Sequence, residues 1–573
     1  MLFGVNFNIK HTKYFCVYET GQATGRELRD EIRGDIMKLT DIRDAAGSAA
    51  FAEKGYEVFS YDREAVRERT KAAPEWIHFG AGNIFRAFPA AVLQTLLEKG
   101  HAGTGVVVCE GFDYEIIEKA YRPYDDLSLL VVLKADGSIE KKVIGSVVES
   151  LTADEGNAAD MARLTEIFSA PSLKMASFTI TEKGYAITGP SGAYLPVVQD
   201  DMQDKTLCPK HIMGKVTRLL YTRYQNGAAP VAMVSMDNCS HNGDKLKAAV
   251  TAYAREWLKN GIVEPGFVDY VSDHARVSFP WSMIDKITPR PDALVQEMLK
   301  KDGFTDTELI ITGKNTYTAP FVNAEETQYL VVEDDFPNGK LPLDRGGVYF
   351  TDRRTVDQVE KMKVCTCLNP LHTALAIYGC LLSYTTIHDE MEDAELSTLI
   401  TRMGYEEGMP VVVNPGILKP EDFIDAVLKK RLPNVFMPDT PQRIATDTSQ
   451  KLPIRFGETV KAYLAKGEHV GQLTFIPLVL AGWLRYLLGV DDAGKCFTPS
   501  PDPMLAQVLG QMEGINFGTK VSAGALDHIL SRADLFAVNL VECGLSEKIT
   551  GYFNELNAGV GAVRATLKKY TVK

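Results

Sequence analysis

Three side chains within one ten-residue run are suited to acid–base chemistry on a polar substrate. They are Lys363, Asn369 and His372, in Lys363-Val-Cys-Thr-Cys-Leu-Asn369-Pro-Leu-His372. Asn369 and His372 are three apart, so on a helix they share a face. A lysine desolvated beside them loses part of its preference for the ammonium form and can exchange a proton near neutral pH. A carboxamide can donate a hydrogen bond to an oxygen on which negative charge develops. The same residues also fit an ordinary capped helix N-terminus. Metal binding through Cys365-x-Cys367 is a rival chemistry. Cysteines two apart on a helix point to different faces, however, and no second Cys/His pair has zinc-site spacing, so no metal is expected.

A second constellation lies far upstream, in Phe79-Gly80-Ala-Gly82-Asn83-Ile84-Phe85-Arg86. An apolar strand, Trp76–Phe79, precedes it and helical periodicity, Ile84 to Leu97, follows. Gly80 and Gly82 allow a sharp turn and close approach to a pyrophosphate. Asn83, Ile84 and Arg86 open the helix whose free N–H groups would face that phosphate. The third glycine of the usual dinucleotide fingerprint is replaced by Phe85, and a bare Gly-x-Gly also fits a structural turn. Glu110 ends the next strand, Gly105–Cys109. An acid there accepts from the adenosine ribose and repels a 2′-phosphate, which favours NAD over NADP; Asp113 is the reserve candidate. His78, within a strand, reads as a packed core histidine.

These groups need a scaffold, and 573 residues suffice for two or three domains. Short apolar strands (also Leu129–Leu133, Ser177–Ile180 and Val231–Ser235) alternate with helical stretches, which predicts a parallel α/β sheet. After Val356 the periodicity becomes helical, as in Pro370–Tyr384, Ala394–Glu407, Phe423–Arg431 and Phe475–Leu488. The expected fold is therefore α/β, with a Rossmann-like NAD-binding domain over 37–345 and a mainly α-helical substrate-binding domain over 346–573. Residues 1–36 read as an extension not needed for function, with Met37 as an alternative start. A net charge of −13 speaks against a general nucleic-acid binder. No apolar run reaches the roughly 18 residues of a membrane span. Nine cysteines, an odd number without a Cys-x-x-Cys pair, fit a reduced cytoplasmic setting. A monomer or small homo-oligomer is expected.

The opening Phe-Gly-x-Gly followed by Arg86-Ala resembles that of the mannitol dehydrogenase family, the polyol-specific long-chain dehydrogenases. Four further blocks agree in order: Thr179-Ile-Thr-Glu182-Lys-Gly184-Tyr185; Asp237-Asn238 with Asn242-Gly243; Phe279-Pro-Trp-Ser-Met283-Ile-Asp285-Lys-Ile-Thr-Pro289; and the Lys…Asn-x-x-His block. The resemblance spans roughly Trp76 to Lys451. It implies hydride exchange between NAD and a sugar-derived carbonyl, with no catalytic metal. It casts Lys363 as acid/base, Asn369 as oxyanion donor and His372 as a substrate-holding group. Asn238, Asp285, Arg443 and Lys451 then line the substrate site. The second half looks more like the sugar-acid branch than the free-polyol branch, so the expected reaction interconverts D-fructuronate and D-mannonate. The tagaturonate–altronate pair and mannitol-type polyols are the same-class alternatives. A non-catalytic NAD(H)-binding protein is the other-class alternative, and an NADP-linked carbon–carbon or decarboxylating enzyme is disfavoured by Glu110.

One departure matters. The family's lysine and asparagine numbers differ by five, and here they differ by six. An inserted residue turns a helix by about 100°. Either Lys363 precedes the regular helix or a π-bulge absorbs the extra residue. Lys361 is the rival lysine. Glu182 reads either as a turn residue or as a proton-relay group.

Overall fold

The computed structural model describes residues 36–572; the proposed extension, apart from its last residue, lies outside them. Six strands form one parallel sheet: β1 (Trp76–Phe79), β2 (Val106–Glu110), β3 (Val147–Thr152), β4 (Met175–Phe178), β5 (Val231–Ser235) and β6 (Val277–Ser278). Their spatial order is β3-β2-β1-β4-β5-β6, every neighbour parallel. The order reverses between β1 and β4, so a crevice opens beyond their carboxyl ends, where ligands of doubly wound sheets bind. All residues of β1, β2, β4 and β5 are buried. That is why these strands read as unbroken apolar runs rather than alternating ones.

The helix after the glycine turn is interrupted. It forms α1 (Asn83–Ala87) and α2 (Pro89–Glu98), separated at Phe88 (φ −132°, ψ −73°). Proline disfavours helical geometry at the residue before it and starts α2 at its first position. Leu129–Leu133, expected within the main sheet, lies in the strand Ser128–Leu133 of a separate four-stranded sheet with Tyr56–Glu57, Ile139–Ile144 and Phe321–Glu325. A third sheet joins β7 (Ser282–Asp285) to Tyr329–Glu333 and Tyr349–Thr351. Its last strand lies beyond residue 345 yet is stapled to the first domain.

The second half is helical. α3 (Arg353–Met362) runs into a π-helical turn, Lys363–Cys367, and then into α4 (Asn369–Leu381) after a break at Leu368. Similar wide turns follow α5 (Pro420–Ala426), over Val427–Arg431, and occupy Met403–Gly408 and Pro453–Gly457. The core of this half forms around α4 and α6 (Phe475–Tyr486), all twelve residues of which are buried. Among the described residues one helical run, Arg353–Leu381, is long and apolar enough to cross a membrane by composition; most of it is buried inside the protein.

Candidate active site

Gly80 takes φ +104°, and a Cβ there would lie 2.2 Å from the Thr179 carbonyl oxygen, so only glycine fits between β1 and the end of β4. Gly82 caps α1, and a Cβ there would meet nothing within 4 Å. That open space, beside a helix start whose first N–H groups have no intrahelical acceptor, suits a phosphate. The loop is braced by Glu110. Its Oε2 accepts the Ala81 N–H (2.9 Å), and its Oε1 accepts those of Gly111, Phe112 and Asp113 (3.0, 3.0 and 3.3 Å). Burial raises the Glu110 pKa, against these donors. Glu110 thus has a loop-shaping role that sequence alone did not suggest. Asp113 is buried and accepts from Thr312 Oγ1 (2.6 Å).

Arg86 does not face a cofactor, contrary to the sequence expectation. It is fully buried and donates to Ala319 O (2.6 Å), Asn83 Oδ1 (2.8 Å) and Thr318 Oγ1 (2.9 Å). Through Nη1 and Nη2 these partners tie α1 to the 318–319 segment, while Nε is buried without a hydrogen-bond partner. His78 is a core residue, bonded to Ser177 and Thr179 and stacked on Phe85 at 4.1 Å.

At the carboxyl ends of β4 and β5 the backbone is strained. Thr181 adopts φ +63°, costly for a β-branched residue. Asp237 holds this turn, accepting the N–H groups of Ile180 and Thr181 (both 2.9 Å) and the Tyr185 hydroxyl (2.6 Å). Asn242 donates to Asp237 O, Ser282 O and Ser282 Oγ and accepts the Ser282 N–H, all at 3.0 Å. It thereby fixes β7, and with it Asp285, against the end of β5.

Between the halves lies a cavity of about 340 Å³. Ile84, Asn238, Asp285, Lys363, Asn369, His372 and Arg443 line it, bringing together seven residues singled out from the sequence. The π-turn absorbs the extra residue and presents Lys363 here. The side chain is 2% exposed, and its Nζ donates to Asn238 Oδ1 (2.9 Å) and Ile284 O (3.2 Å), 3.8 Å from Asp285 Oδ1. Burial pulls its pKa below the lysine range; Asp285 opposes this and Arg431 adds to it. Lys361 lies on the surface, paired with Asp357 at 2.8 Å. The Nε2 of His372 is buried with no hydrogen-bond partner, 3.8 Å from Asp439. Burial lowers the His372 pKa to about 4 despite Asp439, so the ring is neutral near pH 7. Arg443 stands exposed at the rim, paired with Asp439.

Lys451 is not brought to the cavity wall. Its Nζ donates to the carbonyls of Ile444 and Thr446, so it shapes the turn that follows Arg443. Burial and Arg455 lower it to about 8, against Asp447. Glu182 is exposed, paired with Lys245 at 2.7 Å, on a wider cleft of about 1240 Å³ that shares Asp237, Asn238, Ile284 and Asn369 with the cavity.

Arg431 was not legible as a site residue. It sits 1% exposed between Asp285 and Glu325. In the sequence it ends the basic run Lys429-Lys430-Arg431, which reads as a helix C-terminus. Its spacing from Ile424, Val427 and Leu428, all buried, was the available sign that it belongs to the inward stripe. Among the described residues no group of three or more His, Cys, Asp or Glu side chains is placed to hold a metal ion. Cys367 is buried against Pro420.

A doubly wound dinucleotide-binding domain, its carboxyl edge closed by a helical domain carrying a buried lysine, defines a two-domain dehydrogenase. Residues 74–345 match the mannitol dehydrogenase Rossmann domain and residues 355–554 the mannitol dehydrogenase C-terminal domain. The chain belongs to the mannitol dehydrogenase family and is an oxidoreductase. It is 51% identical over 527 residues to D-mannonate oxidoreductase of Thermotoga maritima, covering 91% of this chain and 97% of that one. It is 29% identical over 457 residues to D-mannonate oxidoreductase of Escherichia coli K12, covering 76% and 86%. Pseudomonas fluorescens mannitol 2-dehydrogenase, solved as a ternary complex with NAD and D-mannitol, superposes with a TM-score of 0.63 at 25% identity, over 90% of this chain and 96% of that one.

Proposed function

We propose that the protein interconverts D-mannonate and D-fructuronate with NAD as cofactor, using Lys363 rather than a metal as acid/base. The observation that carries this reading is the desolvated Lys363, held by Asn238 in a cavity beside the carboxyl edge of the sheet. The sugar-acid substrate is supported by the names of the two D-mannonate oxidoreductases. Gly80, Gly82 and the start of α1 would hold the dinucleotide, which when bound would supply or take up the hydride. During reduction Lys363 Nζ gives a proton to the carbonyl oxygen, and Asn369 donates a hydrogen bond to that oxygen as charge builds. In oxidation the neutral amine takes the hydroxyl proton. Asp285, beside Lys363, steadies its ammonium form, and the neutral His372 ring bonds a substrate hydroxyl through Nε2. Arg443 at the rim offers a planar fork to the substrate carboxylate. The acid at the end of β2, Glu110, favours NAD over NADP, and a reduced cytoplasmic setting suits the free cysteines.

The test follows NADH absorbance with D-fructuronate, D-tagaturonate and D-fructose, using wild type and Lys363→Ala. Turnover is expected with D-fructuronate, and kcat should fall by about 10²–10⁴ in the variant while NADH binding persists. Turnover with D-tagaturonate or D-fructose alone would reassign the substrate. An active Lys363→Ala enzyme would remove the lysine from the mechanism.

A further inference from the structure

We propose that Arg431, clamped by Glu325, is a positioning residue for the reaction: it fixes Asp285 beside Lys363 and sets how readily that lysine gives up its proton. The inference rests on the role proposed for Lys363.

Arg431 makes two forks. Nη1 and Nη2 donate to the two oxygens of Asp285 (2.5 and 3.1 Å), and Nε and Nη2 donate to those of Glu325 (3.0 and 2.8 Å). Glu325 Oε1 is held in turn by the Ile287 N–H at 2.7 Å. Arg431 comes from the π-turn after α5, in the helical half. Asp285 ends β7 and Glu325 ends Phe321–Glu325, both in the first half. An ion triad buried across two domains is a poor source of stability, because desolvation offsets most of its attraction. Its placement against the proton-transferring lysine gives it a different use.

The geometry divides Asp285 unequally. Arg431 engages both its oxygens, and Lys363 comes no nearer than 3.8 Å, to Oδ1. The ammonium form of Lys363 is therefore only partly compensated, and a second positive charge stands behind its counter-ion. Were Arg431 absent, Asp285 would turn wholly to Lys363 and stabilise the ammonium form. Glu325 offsets part of the Arg431 charge and keeps the arginine from withdrawing Asp285 further. The other ionisable groups near the lysine and the triad are Glu360, on the helix that carries Lys363, Lys286, Tyr329 and His372. Lys286 is tied to Glu325 O (2.8 Å) and Gln328 (2.9 Å), so it does not compete for Asp285.

The experiment is the pH dependence of kcat/KM for D-mannonate oxidation, whose rising limb reports the free-enzyme base. Arg431→Met should move the limb up by about one unit or more, and Glu325→Gln should move it down. Arg431→Lys keeps the charge but loses the two forks, so its limb should lie between those of wild type and Arg431→Met. A merely structural role lowers activity or melting temperature without opposite displacements. Coincident limbs in Arg431→Met and Glu325→Gln, or displacements of one sign, overturn the proposal. If Arg431→Met does not fold, an unmoved limb in Glu325→Gln overturns it equally. Lys363→Met in the same buffers separates the two readings: a limb that survives in it removes Lys363 itself.

Discussion

The glycine loop and the lysine cavity share one sheet edge and treat charged side chains in opposite ways. At the loop, Glu110 accepts four main-chain N–H groups and Arg86 is bonded to three oxygens, so both are structural members. At the cavity, Lys363 makes two hydrogen bonds from an ammonium with three donors. There too, His372 keeps a buried nitrogen without a partner. A loop that recognises phosphate through backbone shape needs its charged side chains tied into the surrounding chain, and Glu110 and Arg86 are so tied, Arg86 through every donor nitrogen except its buried Nε. A site that moves protons needs groups whose proton affinity burial and neighbouring charge have displaced.

The two glycines give the largest expected effects and separate shape from contact. Gly80→Ala combines positive φ with a 2.2 Å backbone clash, so it should destabilise by roughly 1–3 kcal/mol or more and abolish NADH binding. Gly82 has ordinary φ (−76°) and open space at its Cβ. Gly82→Ala should leave the melting temperature unchanged yet weaken NADH about tenfold or more, because the methyl enters the space assigned to the pyrophosphate. Thermal unfolding and NADH titration of both variants check this. Equal destabilisation by the two would break the distinction.

How far the sequence could be read follows the same division. The strand–Gly-x-Gly–helix pattern is local, and β1, β4 and β5 lie within three residues of where apolar runs predicted them. The Lys363–Asn369 spacing left two remedies for a one-residue insertion, a lysine ahead of the regular helix or a wide turn within it, and the chain takes the wide turn. What was hidden depended on contacts far apart in the chain. Ser128–Leu133 has the composition of a main-sheet strand but pairs with Phe321–Glu325 elsewhere. Arg86 counted among the residues that open the cofactor helix, and its side-chain donors go to residues more than 230 positions away. Arg431 meets its two carboxylates 106 and 146 residues away, and no local pattern marks an arginine for such partners.

His372 gives a middle-sized prediction. Its folded pKa of about 4 lies below the ordinary histidine value of about 6.5. Between these values the unfolded chain binds more protons, so the stability that neutral His372 contributes is complete above about pH 6.5 and declines as pH falls toward 4. His372→Gln cannot titrate. Its melting temperature should therefore fall less than that of wild type, by a few degrees, between about pH 7 and pH 5. An unchanged pH sensitivity would mean that the ring is solvated and belongs with the satisfied groups of the loop.

The smallest effect is expected two residues from the largest chemical one. Lys361 has its ammonium held by Asp357 at 2.8 Å and its side chain 56% exposed. Its pKa is raised, first by the hydrogen bond to Asp357, so it remains protonated where a base is required. Lys363 lies on the far side of the turn, where the chain enters its wide π-helical segment and burial pulls the amine the other way. Lys361→Ala should leave kcat/KM within about twofold and change stability by less than about 1 kcal/mol, as for an exposed ion pair. Steady-state kinetics beside Lys363→Ala decide it. A hundredfold loss in Lys361→Ala would show that the proton route runs along the exposed face of α3, and that desolvation of Lys363 serves packing alone.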